Sequence, residues 1–139
     1  MVKFLFTKLI FIIVLLGVCT GSSFGQSTYA LLKLKPEEPF ENVWVNKLDT
    51  DEFGTAYLIW VKESVALHVH DEHTEHVYIL EGIGMMKLGD EENEVKAGDF
   101  MFIPRGVKHG VTVTSETPLK ALSVQTPEFH GEDRHFVDE

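Results

Sequence analysis

From about residue 30 onward, short apolar runs are separated by turn residues, and no helical periodicity is visible. The turns recur about every eight to twelve positions, which is typical of an all-β sandwich or barrel. Glycine permits positive φ and proline fixes its own φ, so both punctuate the runs. A hairpin tip is predicted at Gly89-Asp90 and onward through 91–93. The predicted strands are 43–48, 56–61, 65–70, 77–80, 85–88, 100–103, 110–114 and 119–124.

The length of 139 residues indicates one folded domain. We divide the chain into a signal peptide (1–25), an N-terminal arm and first strand (26–42), a barrel (43–126) and a C-terminal tail (127–139) that packs on the barrel.

The first 25 residues have the pattern of a secretory signal peptide. Lys3 and Lys8 precede an apolar run over 9–18, and small residues follow up to Gly25, after which we place cleavage. The run is shorter than the roughly 20 residues of a membrane helix, so no stable membrane span is expected after cleavage. The expected location is the bacterial periplasm or the outside of the cell. Alternatively, Cys19 in the segment 16–19 anchors a lipoprotein.

Cleavage leaves a strongly acidic chain without cysteine. Ten basic residues then stand against 22 acidic ones, a net charge of −12. Such a surface repels nucleic acid and anionic lipid, which favours a small molecule, a metal ion or a protein as partner. The domain must also hold together without disulfides, although the expected compartment is oxidising.

Candidate chemistry is concentrated between His68 and His76 (HVHDEHTEH). His68 and His70 are two apart on the predicted strand 65–70, so their side chains share a face, with Cβ atoms about 6–7 Å apart. That spacing suits two imidazoles on one metal ion. The H-x-H pattern alone is a weak signal in a chain with seven histidines, and it does not decide whether that face meets solvent or a pocket.

Together with downstream residues, this segment resembles the paired motifs of the cupin superfamily, in particular its small single-domain members. Two positions depart from the motifs, Lys62 where the first opens with glycine and Val113 where the second closes with asparagine. The two motifs span 62–113, about half of the chain that remains after cleavage. The matching residues are His68, His70, Glu75 and Gly82 in the first motif and Gly98, Pro104, Gly106 and His109 in the second.

The resemblance implies a double-stranded β-helix, or jelly-roll barrel, with a metal site inside it. It carries over His68, His70, Glu75 and His109 as ligands, and neither departing position is a ligand in the family. Three imidazoles and a carboxylate suit Mn, Fe, Co, Ni, Cu or Zn, and the sequence does not distinguish among these metals. An octahedral ion would keep two positions open for water, O₂ or a bidentate substrate.

The neighbouring polar residues receive other expectations. Glu72 is expected to face water, and His73 to be a solvated loop residue, with contact to metal or substrate as the alternative. Alternation points His76 away from Glu75, to a packing or interface role rather than a ligand role.

Several further residues are candidates for the pocket wall, with core packing as the alternative role for each. They are Val77, Ile79, Val111 and Val113, either Phe100 with Phe102 or Met101 with Ile103, and Tyr57 and Met85.

The tail and one turn carry charged groups that could meet a substrate. The tail could fold over the barrel mouth and bring His130 or Arg134 near substrate, or it could be a docked edge segment or dimer contact. Arg105 could bind an anion at the rim or remain a solvated turn residue.

Two classes of function fit these expectations. One is a metal-dependent oxygenase, isomerase or lyase, in which Glu75 detaches and acts as a base, as is suggested for some cupins. The other is a protein that binds a sugar, an organic acid or a metal without turnover. A homodimer is expected, because small barrels expose edge strands that need covering.

Overall fold

A computed structural model describes residues 27–138; the predicted signal peptide lies outside this range. Within it, one short 3₁₀ helix, Leu31–Lys33, precedes ten β-strands. The strands are β1 (Val43–Asp51), β2 (Gly54–Val61), β3 (Ser64–Val69), β4 (Thr74–Glu81), β5 (Ile83–Leu88), β6 (Glu91–Lys96), β7 (Phe100–Ile103), β8 (His109–Val113), β9 (Leu119–Thr126) and β10 (His135–Phe136).

The strands form two five-stranded antiparallel sheets. Sheet one has the order β1-β2-β9-β4-β7, and sheet two has the order β10-β3-β8-β5-β6. From β2 to β5, and again from β6 to β10, the chain changes sheet between consecutive strands, which rolls the two sheets into a jelly-roll barrel. The predicted all-β barrel is therefore confirmed.

The core lies between the sheets and follows the period of two expected for strands. On β9, for example, Leu119 and Ala121 are buried inside the barrel, whereas Leu122 on the opposite face is half-buried. The buried apolar cluster comprises Val61, Ile79, Met86, Val95, Met101, Ile103, Leu119 and Ala121.

All eight predicted strands are present, but the apolar pattern missed two others. The hairpin tip is Gly89-Asp90 alone, since Leu88 pairs with Glu91 and Gly89 has a φ of 61°. Residues 91–93, predicted as turn, begin β6. This edge strand buries only Val95, so its sequence has no apolar alternation.

Two further differences concern the chain ends. The first strand expected within 26–42 is wrong, because residues 27–42 contain only the 3₁₀ helix Leu31–Lys33 and irregular structure. The two-residue strand β10 pairs with the edge of β3 and is too short to leave a pattern in the sequence.

Gly82 shows why a motif glycine stands between β4 and β5. Its φ is 84°, a left-handed value that favours glycine, and a Cβ there would lie 2.7 Å from the Cα of Leu119. Any side chain would therefore push the turn between β4 and β5 away from the start of β9.

Both terminal segments pack on the barrel. The N-terminal arm (27–42) lies against sheet one, where the ammonium of Lys120 donates to the carbonyl of Leu34 at 3.0 Å. The C-terminal tail (127–138) runs past the ends of β3 and β4 and finishes in β10. Within residues 27–138, no helix is long and apolar enough to cross a membrane.

Candidate metal centre

The two sheets bring four polar side chains together inside the barrel. His68 on β3 is the register partner of His109 on β8, and His70 follows directly after β3. Glu75 on β4 approaches them from the opposite sheet. All four side chains are buried, and each offers a ligand atom within 4.8 Å of the others'. The structure thus gathers the four residues that the motifs single out.

Backbone carbonyls orient all three imidazoles in the same way. Nδ1 of His68 donates to the carbonyl of Ala66 at 2.8 Å, and Nδ1 of His109 donates to that of Val107 at 2.9 Å. Nδ1 of His70 donates to the carbonyl of Asp133. A carbonyl can only accept, so Nδ1 carries the proton and Nε2 of each neutral ring keeps its lone pair. This is the tautomer that a metal ligand requires.

Glu75 is held as a carboxylate beside these rings. Its Oε2 lies 3.0 Å from Nε2 of His109 and 3.7 Å from Nε2 of His70. Its Oε1 accepts a hydrogen bond from the Ser123 hydroxyl at 2.5 Å. Burial alone would raise the pKa of Glu75, but the interaction with His109 and the Ser123 hydrogen bond outweigh it and lower the pKa to about 2. Nothing in the sequence pattern pointed to Ser123.

Burial keeps two of the imidazoles neutral. It lowers the pKa of His68 to about 4, with a further contribution from His109, and it also lowers the pKa of His70. Neutral imidazoles with one carboxylate are the mixed nitrogen and oxygen donor set that first-row divalent metals accept.

Two atomic details fit a cation among these residues. Nε2 of His70 is buried and has no hydrogen-bond partner within residues 27–138, a costly arrangement unless another group meets the lone pair. Nε2 of His109 and Oε2 of the Glu75 carboxylate lie 3.0 Å apart, so without a metal a proton on Nε2 bridges the two atoms. A metal ion bound there would take the place of that proton.

The expectation that His73 is a solvated loop residue is wrong. The side chain is buried, with Nδ1 donating to Oδ2 of Asp133 at 2.6 Å and Nε2 donating to the carbonyl of Glu128 at 3.0 Å. Burial lowers the pKa of His73, but these hydrogen bonds and the Asp133 charge outweigh it and raise the pKa overall. A bonded histidine cannot be told from a solvated one by loop sequence.

Asp133 in the tail organises the loop between His70 and Glu75. Its carboxylate accepts the backbone N–H groups of Asp71 and Glu72, each at 2.9 Å, and that of His73 at 3.1 Å. Burial alone would raise the pKa of Asp133, but the hydrogen bond from the His73 ring, together with these backbone N–H groups, outweighs burial and lowers it. The sequence carried no signal for this role, because the partners lie about 60 residues upstream.

Two further polar residues between His68 and His76 behave as expected. His76 lies on the outer face of β4, with its ring centroid 5.1 Å from that of Phe102 and 6.1 Å from that of Phe100. Glu72 is exposed to solvent.

A cavity of about 320 Å³ adjoins the four residues. Its lining includes Val77, Ile79 and Val111, as expected. Of the two alternatives on β7, Met101 and Ile103 face inward; Met101 lies in the cavity wall and Ile103 in the core.

Other predicted wall residues lie elsewhere. Phe100 and Phe102 point outward, Val113 packs against the core, and the ring of Tyr57 meets that of Phe129 edge-on. Met86, and not Met85, lines the cavity. The phase of the alternation in β5 follows from its pairing with β8 and could not be taken from Met85-Met86 alone.

Of the charged residues considered near a substrate, only Arg134 lines the cavity. Arg105 and His130 are exposed and stand outside the lining.

Comparison with known proteins places this arrangement in a family. The profile of the cupin domain matches residues 57–125. An uncharacterized protein of Aquifex aeolicus is 33% identical over 102 residues, covering 73% of this chain and 84% of the relative. An oxalate-binding protein of Thermotoga maritima is 38% identical over 61 residues, covering 44% of this chain and 50% of that protein.

Solved structures show the same architecture. A crystal structure of a Thermus thermophilus protein superposes with a TM-score of 0.67 at 26% identity, covering 75% of this chain and all of the other. This chain belongs to the cupin family, because the cupin profile matches it, the Aquifex aeolicus protein is similar to it, and its strands have the jelly-roll topology.

Proposed function

We propose that this protein binds a divalent transition metal ion through His68, His70, Glu75 and His109 and coordinates a small organic ligand in the adjoining cavity. The metal is one of Mn, Fe, Co, Ni, Cu or Zn.

One observation carries this proposal. Each of the three imidazoles donates through Nδ1 to a backbone carbonyl, which leaves three Nε2 atoms for another partner beside an ionised glutamate in a buried cluster. Without a cation, one of those nitrogens is an orphaned polar atom and another faces a carboxylate. Burial of such groups costs free energy that a metal ion would recover.

A small molecule fits the cavity better than a macromolecule does. A volume of about 320 Å³ lies at the lower end of the range for small-molecule sites. When bound, the metal supplies Lewis acidity and, for a redox-active ion, electron transfer. One relative, the Thermotoga maritima protein, is described as oxalate-binding. That description supports a small organic ligand here.

Catalysis is the second candidate function, as an oxygenase, isomerase or lyase. Glu75 supports it, because this is the one carboxylate in the described lining of the cavity and its Oε2 faces the ligand space next to His109. Glu75 would take a proton from the bound ligand, while Ser123 holds its other oxygen in place. The alternative of binding without turnover uses the same residues.

The test of metal binding compares two histidines of one segment. We expect His70→Ala to abolish stoichiometric metal content, measured by mass spectrometry of the purified protein, because a ligand is lost. His76→Ala should keep the wild-type content, since this ring packs outside the barrel against Phe102. Equal loss in both variants would contradict the proposed ligand set.

Turnover is tested on the metal-loaded protein by oxygen uptake with catechols, thiols and diketones. Consumption that Glu75→Gln removes while metal is retained would favour the enzyme. Retention of a ligand without consumption would favour the binder.

We also propose export by the signal peptide and assembly as a homodimer. Export rests on the sequence of residues 1–25 and is checked by the mass of the mature protein, with cleavage after Gly25.

Dimerisation rests on the outer face of sheet one, where Tyr78, Phe100 and Phe102 are exposed at the β7 edge. Light scattering of Phe102→Glu should show a shift from dimer to monomer.

A further inference from the structure

We propose that the ligand of this cavity is a monocarboxylic acid with an aliphatic body, and that Arg134 binds its carboxylate beside the metal centre. The inference deepens the proposed function and rests on it. Arg134 lies outside residues 57–125, the part of the chain that the family profile matches.

Arg134 stands where an anionic group would meet the metal centre. It lines the cavity together with His68, Glu75 and His109. Burial is the main cause of the pKa shifts of His68, His70 and Tyr57, and the positive charge of Arg134 acts on all three. The guanidinium therefore lies near the polar end of the cavity.

The guanidinium has no carboxylate partner within residues 27–138. The ion pairs in this part of the chain all involve a histidine or a lysine. The side chain of Arg134 is exposed to solvent and at the same time lines the cavity. A guanidinium offers a planar fork of N–H donors that matches a carboxylate, so Arg134 is available to bind one from a ligand.

The backbone on both sides of Arg134 is anchored. Asp133 is bonded to the loop between His70 and Glu75, and His135 and Phe136 pair with Val69 and His68 on β3. A side chain on an anchored segment loses less conformational entropy when it binds, which favours a built recognition site over a passing surface contact.

Apart from Asn42, Ser64, Ser123 and the aromatic ring of Phe136, the rest of the cavity wall is aliphatic. The inward positions Glu75 and His109 are followed two residues later by Val77 and Val111, and Met86 and Ile79 continue the wall. A second charged group placed there would lose water without finding a partner. The body of the ligand is therefore apolar.

The mouth of the cavity supports the same assignment. Among the lining residues, Val43 and Val45 on β1 are 39% and 47% exposed, and Phe136 on β10 is 69% exposed. An aliphatic chain that covers these side chains would remove apolar surface from water. Oxalate, with two carboxylates and no apolar part, would leave both the wall and the mouth uncovered.

The test uses three probes of different chemistry on three proteins. Octanoate, octan-1-ol and oxalate are titrated calorimetrically into the wild type, Arg134→Gln and Arg105→Gln, each metal-loaded and each after chelator treatment. Arg105 is the matched control, because it is the other arginine of the chain and lies outside the cavity lining. Metal content is measured on the same samples.

We expect the wild type to bind octanoate more tightly than the other two probes. Arg134→Gln should weaken octanoate about tenfold to a hundredfold, the loss expected for hydrogen bonds to a charged group, and leave octan-1-ol unchanged. Arg105→Gln should match the wild type.

Three results would overturn the inference: no octanoate binding by the wild type, equal octanoate affinity in Arg134→Gln, or oxalate bound as tightly as octanoate. If the proposed metal site is wrong, the wild-type protein will contain no metal, and the metal-content measurement will show this independently of ligand binding. In that case the effect of Arg134→Gln on octanoate affinity in the chelator-treated samples still decides the role of the arginine.

Discussion

The N-terminal arm and the C-terminal tail both pack on the barrel, and a buried charged side chain holds each of them in place. On the arm side, Lys120 is 1% exposed and donates to the carbonyl of Leu34 and to Glu81 at 3.2 Å. On the tail side, Asp133 accepts three backbone N–H groups of the loop that joins His70 to Glu75.

The two anchors differ in what lies beneath them. Lys120 points away from the barrel interior, next to Trp60, and of the arm only Asn42 borders the cavity. Asp133 bonds through its own carbonyl to a metal-site imidazole, and its neighbour Arg134 lines the cavity. The same kind of charge-assisted hydrogen bond thus stabilises the fold in one place and orders the site in the other.

Removal of the tail anchor should have the largest effect. In Asp133→Ala, three backbone N–H groups and His73 lose their acceptor, so we expect the free energy of unfolding to fall by about 3 kcal/mol. The loop and His70 should then lose their fixed positions, and metal affinity should fall about tenfold to a hundredfold. Chelator competition measures the affinity and urea unfolding the stability.

Asp138→Ala is the matched control for this prediction, because Asp138 is an exposed aspartate of the same tail. It should leave both quantities unchanged. Wild-type metal affinity in Asp133→Ala would show that the tail packs on the barrel without ordering the metal site.

Removal of the arm anchor should affect stability alone. Lys120→Met leaves the Leu34 carbonyl without its donor, and we expect the free energy of unfolding to fall by about 1–3 kcal/mol. Metal affinity should equal that of the wild type, since Lys120 touches no residue of the cluster. Lys35→Met, an exposed lysine of the arm, serves as the control. A parallel loss of metal affinity in Lys120→Met would remove the distinction between the two segments.

The smallest predicted effect is a pH dependence of stability, which we expect to come from the metal centre and not from the arm anchor Lys120. The pKa of His68 is lowered from 6.5 to about 4 by burial, so between these values the unfolded chain binds a proton that the folded metal-free protein does not. Its contribution to stability is therefore fully present above pH 6.5 and is lost as the pH falls toward 4.

Urea unfolding of metal-free protein at pH 7.5 and pH 5 measures this loss. His73 contributes with the opposite sign, because its pKa is raised, so the comparison is made against His68→Asn. That variant should show a smaller drop than the wild type, and Lys120→Met should show the wild-type drop. An equal drop in His68→Asn would assign the pH dependence to another group.

The sequence determined the strands and the composition of the cluster. Strand alternation and the H-x-H spacing already placed His68 and His70 on one face of their strand and pointed His76 away from Glu75 on the next, because the side-chain period of two is a local property of the chain. The hydrophobic pattern likewise located every strand with an apolar face, and it missed β6, whose face is charged, and β10, which has two residues.

Only the tertiary structure decided the rest. Pairing between strands sets the phase of alternation on β5 and β7. That phase decided that Met86 rather than Met85, and Ile103 rather than Phe102, faces the interior. The packing of the C-terminal tail on the barrel brings His70 to the carbonyl of Asp133, 63 residues away in the chain. The same packing places Arg134 in the cavity lining. Alternation states which residues share a side of a strand; what that side meets is set by distant segments, which a local pattern does not describe.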